Sequence, residues 1–88
     1  MEMTKTPTRE EVTAVVLKHL QAFAPEADLG ALPPTADMRE RLDIDSFDFL
    51  NFLIALDGEL HVEVPEKDYG QVNTLERLTT YLLAHMGR

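Results

Sequence analysis

At 88 residues, the chain is long enough for one small domain and too short for a deep active site built from several layers, which disfavours a stand-alone enzyme. Its 16 acidic side chains against 8 basic ones give a net charge of -8, which repels nucleic-acid phosphates and anionic lipids and favours basic protein surfaces. The absence of cysteine excludes disulfides and thiolate metal sites, while a hydrophobic content of 44% is typical of a folded globular protein.

The N-terminal segment, residues 1–7, lacks the apolar run of a signal peptide. No later segment reaches the length of a membrane span. We therefore expect a cytoplasmic, monomeric protein that neither inserts into membranes nor binds nucleic acid.

The first predicted helix covers about residues 8–24. Thr8 and Glu11 have capping-box spacing at its start, and Pro25 ends it. We interpret His19, beside the apolar face, as a surface histidine because no second metal ligand lies one turn away. The apolar face consists of Val12, Val15, Val16, Leu20 and Phe23.

Helical spacing disappears between Pro25 and Asp45, where glycine and proline recur. A connection of about twenty residues is long for a compact domain and usually marks a functional loop. We predict a loop with one short helical turn near residues 37–41. Its apolar anchors to the core are Leu29, Leu32, Met38 and Leu42.

The second predicted helix covers residues 46–60. Either Asp45 or Ser46 is expected to cap it, with Asp48 near the positive end of the helix dipole. Apolar residues cover most of the circumference of this helix and form two stripes. One stripe should face the core, and the other is either also buried or an exposed contact surface. The first stripe consists of Phe49, Phe52, Leu53, Leu56 and Leu60, and the second of Phe47, Leu50 and Ile54.

Two more helices follow a turn at Pro65. Residues 66–70 can form a short helix, and residues 74–85 a longer one with Asn73 at the cap position and Glu76 three residues later. The sequence thus predicts a single all-α domain, residues 1–88: a four-helix bundle with a long first loop and a short third helix. The apolar face of the last helix is Leu75, Leu78, Tyr81 and Leu82.

Acidic residues concentrate around the second predicted helix. From Asp43 to Asp68 there are eight acids against the single base Lys67. Because unpaired like charges are mildly destabilising, this accumulation favours a basic partner surface over an ordinary solvated face. The eight acids are Asp43, Asp45, Asp48, Asp57, Glu59, Glu63, Glu66 and Asp68.

Two other kinds of site fit poorly. A calcium loop starting at Asp43 would place Asp48 where a glycine is needed and Ile54 where a bidentate glutamate is needed. Ser46 lacks the Gly-x-Ser-x-Gly elbow and the partner base of a hydrolase nucleophile. The three histidines show no paired metal spacing and are interpreted as surface residues: His19, His61 and His85.

Four motifs follow one another in order: Leu42-Asp43-Ile44-Asp45-Ser46-Phe47-Asp48, Ala55-Leu56, Glu63-Val64-Pro65 and Thr74-Leu75. Over roughly residues 42–82 the chain therefore resembles the acyl carrier protein family, whose members are phosphopantetheine-binding four-helix domains. The departures are Asp43, where the family commonly has glycine, Asn51, where it has an acid, and the bulky Phe49 and Phe52.

The resemblance implies that a phosphopantetheinyl transferase attaches a phosphopantetheine arm from coenzyme A to Ser46. The arm's thiol would hold an acyl group as a thioester, and the chain would present it to partner enzymes without being an enzyme itself. Fatty-acid biosynthesis and a specialised lipid or secondary-metabolite pathway are the candidate settings. The alternatives are an aminoacyl or D-alanyl carrier, or an unmodified acidic helical adaptor.

Side chains near Ser46 are expected to dock the transferase and the enzymes that load and use the acyl group, through basic patches on those partners. Asn51 thins the acidic face in its middle, and the aromatic residues make the surface more apolar. The expected docking residues are Asp45, Phe47, Asp48, Phe49, Leu50, Ile54, Asp57 and Glu59.

Overall fold

The computed structural model describes residues 7–86. Within that range, all the regular secondary structure is helical. The predicted all-α class is confirmed. No helix among the described residues is both long and apolar enough to cross a membrane. The α-helices are α1 (Arg9–Phe23), α2 (Met38–Leu42), α3 (Ser46–Leu60) and α4 (Leu75–His85), and the 3-10 segments are Leu29–Ala31 and Glu66–Gln71.

The first helix, α1, begins at the predicted capping box. The Thr8 hydroxyl accepts from the Glu11 N–H at 3.1 Å, and the Glu11 carboxylate accepts from the Thr8 N–H at 2.8 Å. The helix packs against both α3 and α4. Its predicted apolar face is confirmed: Val12, Val16 and Leu20 are fully buried, while Val15 and Phe23 are partly buried against the core.

The long connection between α1 and α3 is only partly irregular, because it contains the 3-10 segment Leu29–Ala31 and the helix α2. The predicted helical turn near residues 37–41 is confirmed as α2, and Asp37 caps it by accepting from the N–H groups of Arg39 and Glu40. A five-residue helix is too short to show a periodic pattern, so the sequence predicted no more than a turn here. Three predicted anchors, Leu29, Leu32 and Met38, are buried, and Leu42 is partly buried.

Asp37 also joins α2 to the start of α4. The Met38 N–H donates to the Asn73 carbonyl at 2.8 Å, and the Asn73 amide donates to the Asp37 carboxylate at 3.1 Å. The prediction that Asn73 caps α4 is therefore wrong. The Thr74 hydroxyl caps that helix by accepting from the Arg77 N–H at 3.0 Å. The Asn73 amide is held by Asp37, and the Asn73 Oδ1 is buried without a hydrogen-bond partner among the described residues, so this oxygen does not reach the N–H groups of α4.

The core of the domain lies around α3. Phe52 contacts the rings of Phe23 and Phe49, with centroids 6.3 and 5.9 Å apart. The predicted short third helix is present as a 3-10 segment over residues 66–71, which follows Pro65 and has no side-chain cap. That segment packs on α3 through Tyr69, whose ring meets Phe49 edge-on at 6.3 Å.

Candidate functional site

The turn before α3 is made by Asp43. Its backbone is left-handed, with φ 56° and ψ 47°, and its N–H donates to the Arg39 carbonyl to close α2. This is the conformation for which glycine is usually required, and aspartate is among the few other residues that adopt it readily. The tight turn is thus kept although a carboxylate replaces the glycine.

Two residues later the chain enters α3, and Asp45 is its cap. The Asp45 carboxylate accepts from the Asp48 N–H at 2.8 Å. Of the two candidate caps the structure uses Asp45, so Ser46 becomes the first residue of the helix and is exposed. Within residues 7–86, no hydrogen bond engages the Ser46 hydroxyl. The result is an unengaged hydroxyl at an open helix start.

A cavity of about 440 Å³ lies beside this helix start, between α2, the first turn of α3 and the 3-10 segment of residues 66–71. One wall is polar and charged, and the other is apolar and aromatic. An extended chain rooted at Ser46 has this cavity within reach. The lining residues are Asp37, Arg39, Glu40, Ile44, Phe49, Tyr69, Gly70 and Asn73.

The second apolar stripe of α3 is exposed. Phe47, Leu50 and Ile54 are 69, 36 and 57% accessible. This settles the alternative left open by the sequence, because the opposite stripe of the same helix fills the core. Asp57 is half-buried beside the exposed stripe and lines a shallow groove with Leu50 and Ile54. A charged and apolar surface therefore begins directly next to Ser46.

Two of the expected docking residues are not available at this surface. Phe49 is only 2% accessible and packs between Phe52 and Tyr69, so its assignment to the docking set is wrong. It lies on the core side of α3, because one residue of rotation along a helix changes the face by about 100°.

Glu59 is also engaged within the molecule. Its carboxylate lies 2.8 Å from the Lys18 Nζ and 2.7 Å from the His19 Nε2, and these contacts, the Lys18 hydrogen bond first, lower the pKa of Glu59. The expectation that the acids around α3 are unpaired is therefore wrong at this position. The partners stand on α1, about forty residues away in sequence, so local spacing could not reveal them.

Asp68, the last acid of the group, also has an internal partner. The Tyr81 hydroxyl donates to its carboxylate at 2.7 Å. Burial, followed by this hydrogen bond, raises the pKa of Tyr81 to about 12. Near Ser46, Asp43 and Asp45 are exposed and Asp48 is half-buried, and one Asp45 oxygen caps α3.

Sequence reasoning missed one residue next to the candidate site, Arg39. Its Nε donates to the Ile44 carbonyl at 3.3 Å, and its guanidinium carbon lies 5.8 Å from the centre of the Phe49 ring. Arg39 lies a few residues upstream of the motif that contains Ser46 and outside the acid-rich stretch of residues 43–68, so the charge pattern did not indicate it. Within residues 7–86, no group of three or more His, Asp or Glu side chains is arranged to hold a metal ion.

The chain is similar to known proteins over most of its length. A family model described as a phosphopantetheine attachment site matches residues 14–82. The acyl carrier protein of Lactobacillus acidophilus is 27% identical over 71 residues, covering 81% of this chain and 89% of that protein. The acyl carrier protein of Helicobacter hepaticus is 28% identical over 78 residues, covering 89% of this chain and 96% of that protein.

A longer relative comes from Neurospora crassa. Its mitochondrial acyl carrier protein is 26% identical over 76 residues, which is 86% of this chain and 57% of that protein. The chain therefore spans little more than half the length of this relative, whereas it matches most of the two bacterial proteins.

Proposed function

We propose, since this chain belongs to the acyl carrier protein family, that Ser46 is the residue to which its phosphopantetheine is attached. Membership makes the chain a carrier with a covalently bound phosphopantetheine, and not an enzyme. Carriers of this family need a phosphopantetheinyl transferase and work with acyl-handling enzymes. What remains for proposal is the attachment residue, the docking surface and the cargo.

The observation that carries the assignment is the exposed, unengaged hydroxyl of Ser46 at the start of α3. Ser46 is also the only serine in the sequence. Because Asp45 takes the capping role, the Ser46 oxygen need not contribute to helix stability and is open to a transferase. The residues therefore fit a phosphodiester-linked arm.

In the proposed transfer, the Ser46 oxygen forms a phosphodiester bond as the pyrophosphate bond of coenzyme A breaks and the nucleotide half leaves. The bound arm supplies a thiol for thioester formation. The first N–H groups of α3 have no partner within a helix, and the positive end of the dipole favours a phosphate there. Asp45 and Asp48 oppose the phosphate, which supports a role for their charges toward a partner.

The docking surface that we propose is the exposed stripe of α3 with its neighbouring acids. Apolar side chains supply contact area, while the acids attract a basic patch and raise the association rate. Phe49 is left out because it is buried, and Glu59 because its carboxylate, although exposed, is already paired with Lys18. The proposed set is Asp45, Phe47, Asp48, Leu50, Ile54 and Asp57.

Mass measurement tests the attachment. Incubation of the full chain with coenzyme A and a broad-specificity phosphopantetheinyl transferase is expected to add the mass of one arm. Ser46→Ala should abolish the increase while leaving the helical circular-dichroism spectrum unchanged, because Asp45 still caps α3. Thr35→Ala is the matched control, since it removes an exposed hydroxyl that no hydrogen bond among the described residues engages. An unmodified wild type would favour the acidic adaptor.

For the cargo we propose an acyl thioester, as the names of the similar carriers indicate. Mass spectrometry of the loaded carrier isolated from cells identifies the group directly, and an aminoacyl group would replace this part of the proposal. A cytoplasmic location and a monomeric state also stay predictions. Two similar proteins, from Neurospora crassa and Arabidopsis thaliana, are named as mitochondrial.

A further inference from the structure

We propose that Arg39 binds the phosphodiester formed on Ser46 and holds the root of the arm on the α2 side of α3. This inference rests on the proposed attachment at Ser46. It concerns a residue that is not one of the motif positions and whose guanidinium contacts the turn before α3 through the Ile44 carbonyl.

The Arg39 guanidinium contacts one residue that precedes Ser46 in the chain and one that follows it. Its Nε donates to the carbonyl of Ile44, two residues before Ser46, at 3.3 Å. Its guanidinium carbon lies 5.8 Å from the ring centre of Phe49, three residues after Ser46. Residues three apart share a helix face, so Ser46 and Phe49 lie on the same side of the first turn of α3.

The distances allow a direct contact with a phosphate. Two peptide steps of about 3.8 Å each place the Cα of Ser46 within about 8 Å of that of Ile44. The terminal nitrogens of Arg39 extend beyond its Nε, and a phosphate on the Ser46 hydroxyl extends several bonds beyond the backbone. A planar guanidinium can keep Nε on a carbonyl while its terminal nitrogens donate to phosphate oxygens.

The charges around Arg39 leave it able to accept an anion. Within residues 7–86, no carboxylate lies within 4.0 Å of its nitrogens. Asp37 is near enough to interact with Arg39, but its oxygens already accept from three N–H groups. Glu40 lines the same cavity and is exposed.

A phosphodiester would add a negative charge beside Asp45 and Asp48. The positive charge of Arg39 would reduce the repulsion between the phosphodiester and these two carboxylates. Because Arg39 packs on Phe49, on the core side of α3, it would hold the arm's root away from the exposed stripe. The arm and a docked partner could then occupy different sides of the same helix.

The test compares apo and holo forms of the full chain with Arg39→Gln, Arg39→Lys and Arg41→Gln. Arg41 is the matched control, because it is exposed on the same helix, carries the same charge and does not line the cavity. Phosphorus-31 NMR of each holo form reports on the phosphodiester. Unfolding midpoints of each apo and holo pair separate a phosphate contact from the structural contacts that Arg39 makes in both forms.

We expect Arg39→Gln to change the phosphorus chemical shift and to lower the holo midpoint by roughly 2–5 °C more than the apo midpoint. Arg39→Lys should recover part of the difference, and Arg41→Gln should lower both midpoints equally. Equal apo and holo effects of Arg39→Gln with an unchanged phosphorus shift would overturn the Arg39 contact alone. A wild type that gains no mass would overturn the attachment itself and, with it, this inference.

Discussion

Asp43 shows what a single residue contributes before the attachment turn. Its left-handed backbone ends α2 and directs the chain into α3 within two residues. A side chain with a Cβ pays about 1–2 kcal/mol for this conformation, less for aspartate than for most residues. Aspartate at this position therefore keeps a left-handed turn at a cost in stability that glycine would not carry.

We expect Asp43→Gly to raise the free energy of unfolding by about 0.5–1 kcal/mol, because relief of the backbone strain exceeds the extra entropy of the unfolded chain. Chemical denaturation of the apo protein measures the change. His61→Gly should behave alike, since His61 has φ 59° at the end of α3. Glu40→Gly, within α2, should destabilise instead. A loss of stability in Asp43→Gly would contradict the strain argument.

At the scale of a secondary-structure element, α3 has two functional faces. The core face is filled by phenylalanine and leucine side chains, whereas the outer face combines exposed apolar residues with acids. The first turn bears the proposed attachment residue. One helix therefore fills the core with one face and exposes a charged and apolar face beside the proposed attachment residue.

The outer face gives a charge prediction. Asp48→Lys is expected to slow modification by a transferase several-fold at low salt, because it replaces attraction to a basic patch by repulsion. The defect should shrink at about 1 M salt, where the Debye length is about 3 Å. Initial rates followed by mass spectrometry measure it. Glu26→Lys in the exposed long loop is the charge-matched control, and a salt-independent defect would point to misfolding.

At the scale of the whole molecule, Asp37 links the start of α2 to the segment that leads into α4. The Asn73 side-chain hydrogen bond first, then the backbone N–H of Glu40, lowers the pKa of Asp37 from its ordinary 3.8. The charged carboxylate is thus favoured by folding. This contribution to stability is complete above the unfolded pKa and is lost as the pH falls through the lower folded pKa.

We expect Asn73→Ala to raise the pKa of Asp37 back toward 3.8, and the stability that the link contributes should then be smaller at neutral pH. Carboxyl NMR titration measures the pKa, and denaturation between about pH 2 and 6 measures the matching change in stability. Asp37→Asn should remove this part of the pH dependence while keeping a side chain that can cap α2. An unaltered Asp37 titration in Asn73→Ala would contradict the link.

The sequence by itself determined the features that depend on neighbouring residues. The capping box at Thr8, the periodic faces of the long helices and the ordered motifs around Ser46 all act within a few residues of chain, so they are readable without a fold. The short helix after Asp37 was predicted only as a single turn, and its cap became visible in the structure.

Only the tertiary structure decided which apolar stripe of α3 is exposed, that Glu59 is paired with Lys18, and that Arg39 stands beside the attachment turn. It also decided the cap of α4, because Asn73 is engaged with Asp37 thirty-six positions earlier. Each of these outcomes depends on which helices pack together. Packing brings together side chains that are distant in the chain, and their contacts leave no local pattern in the sequence.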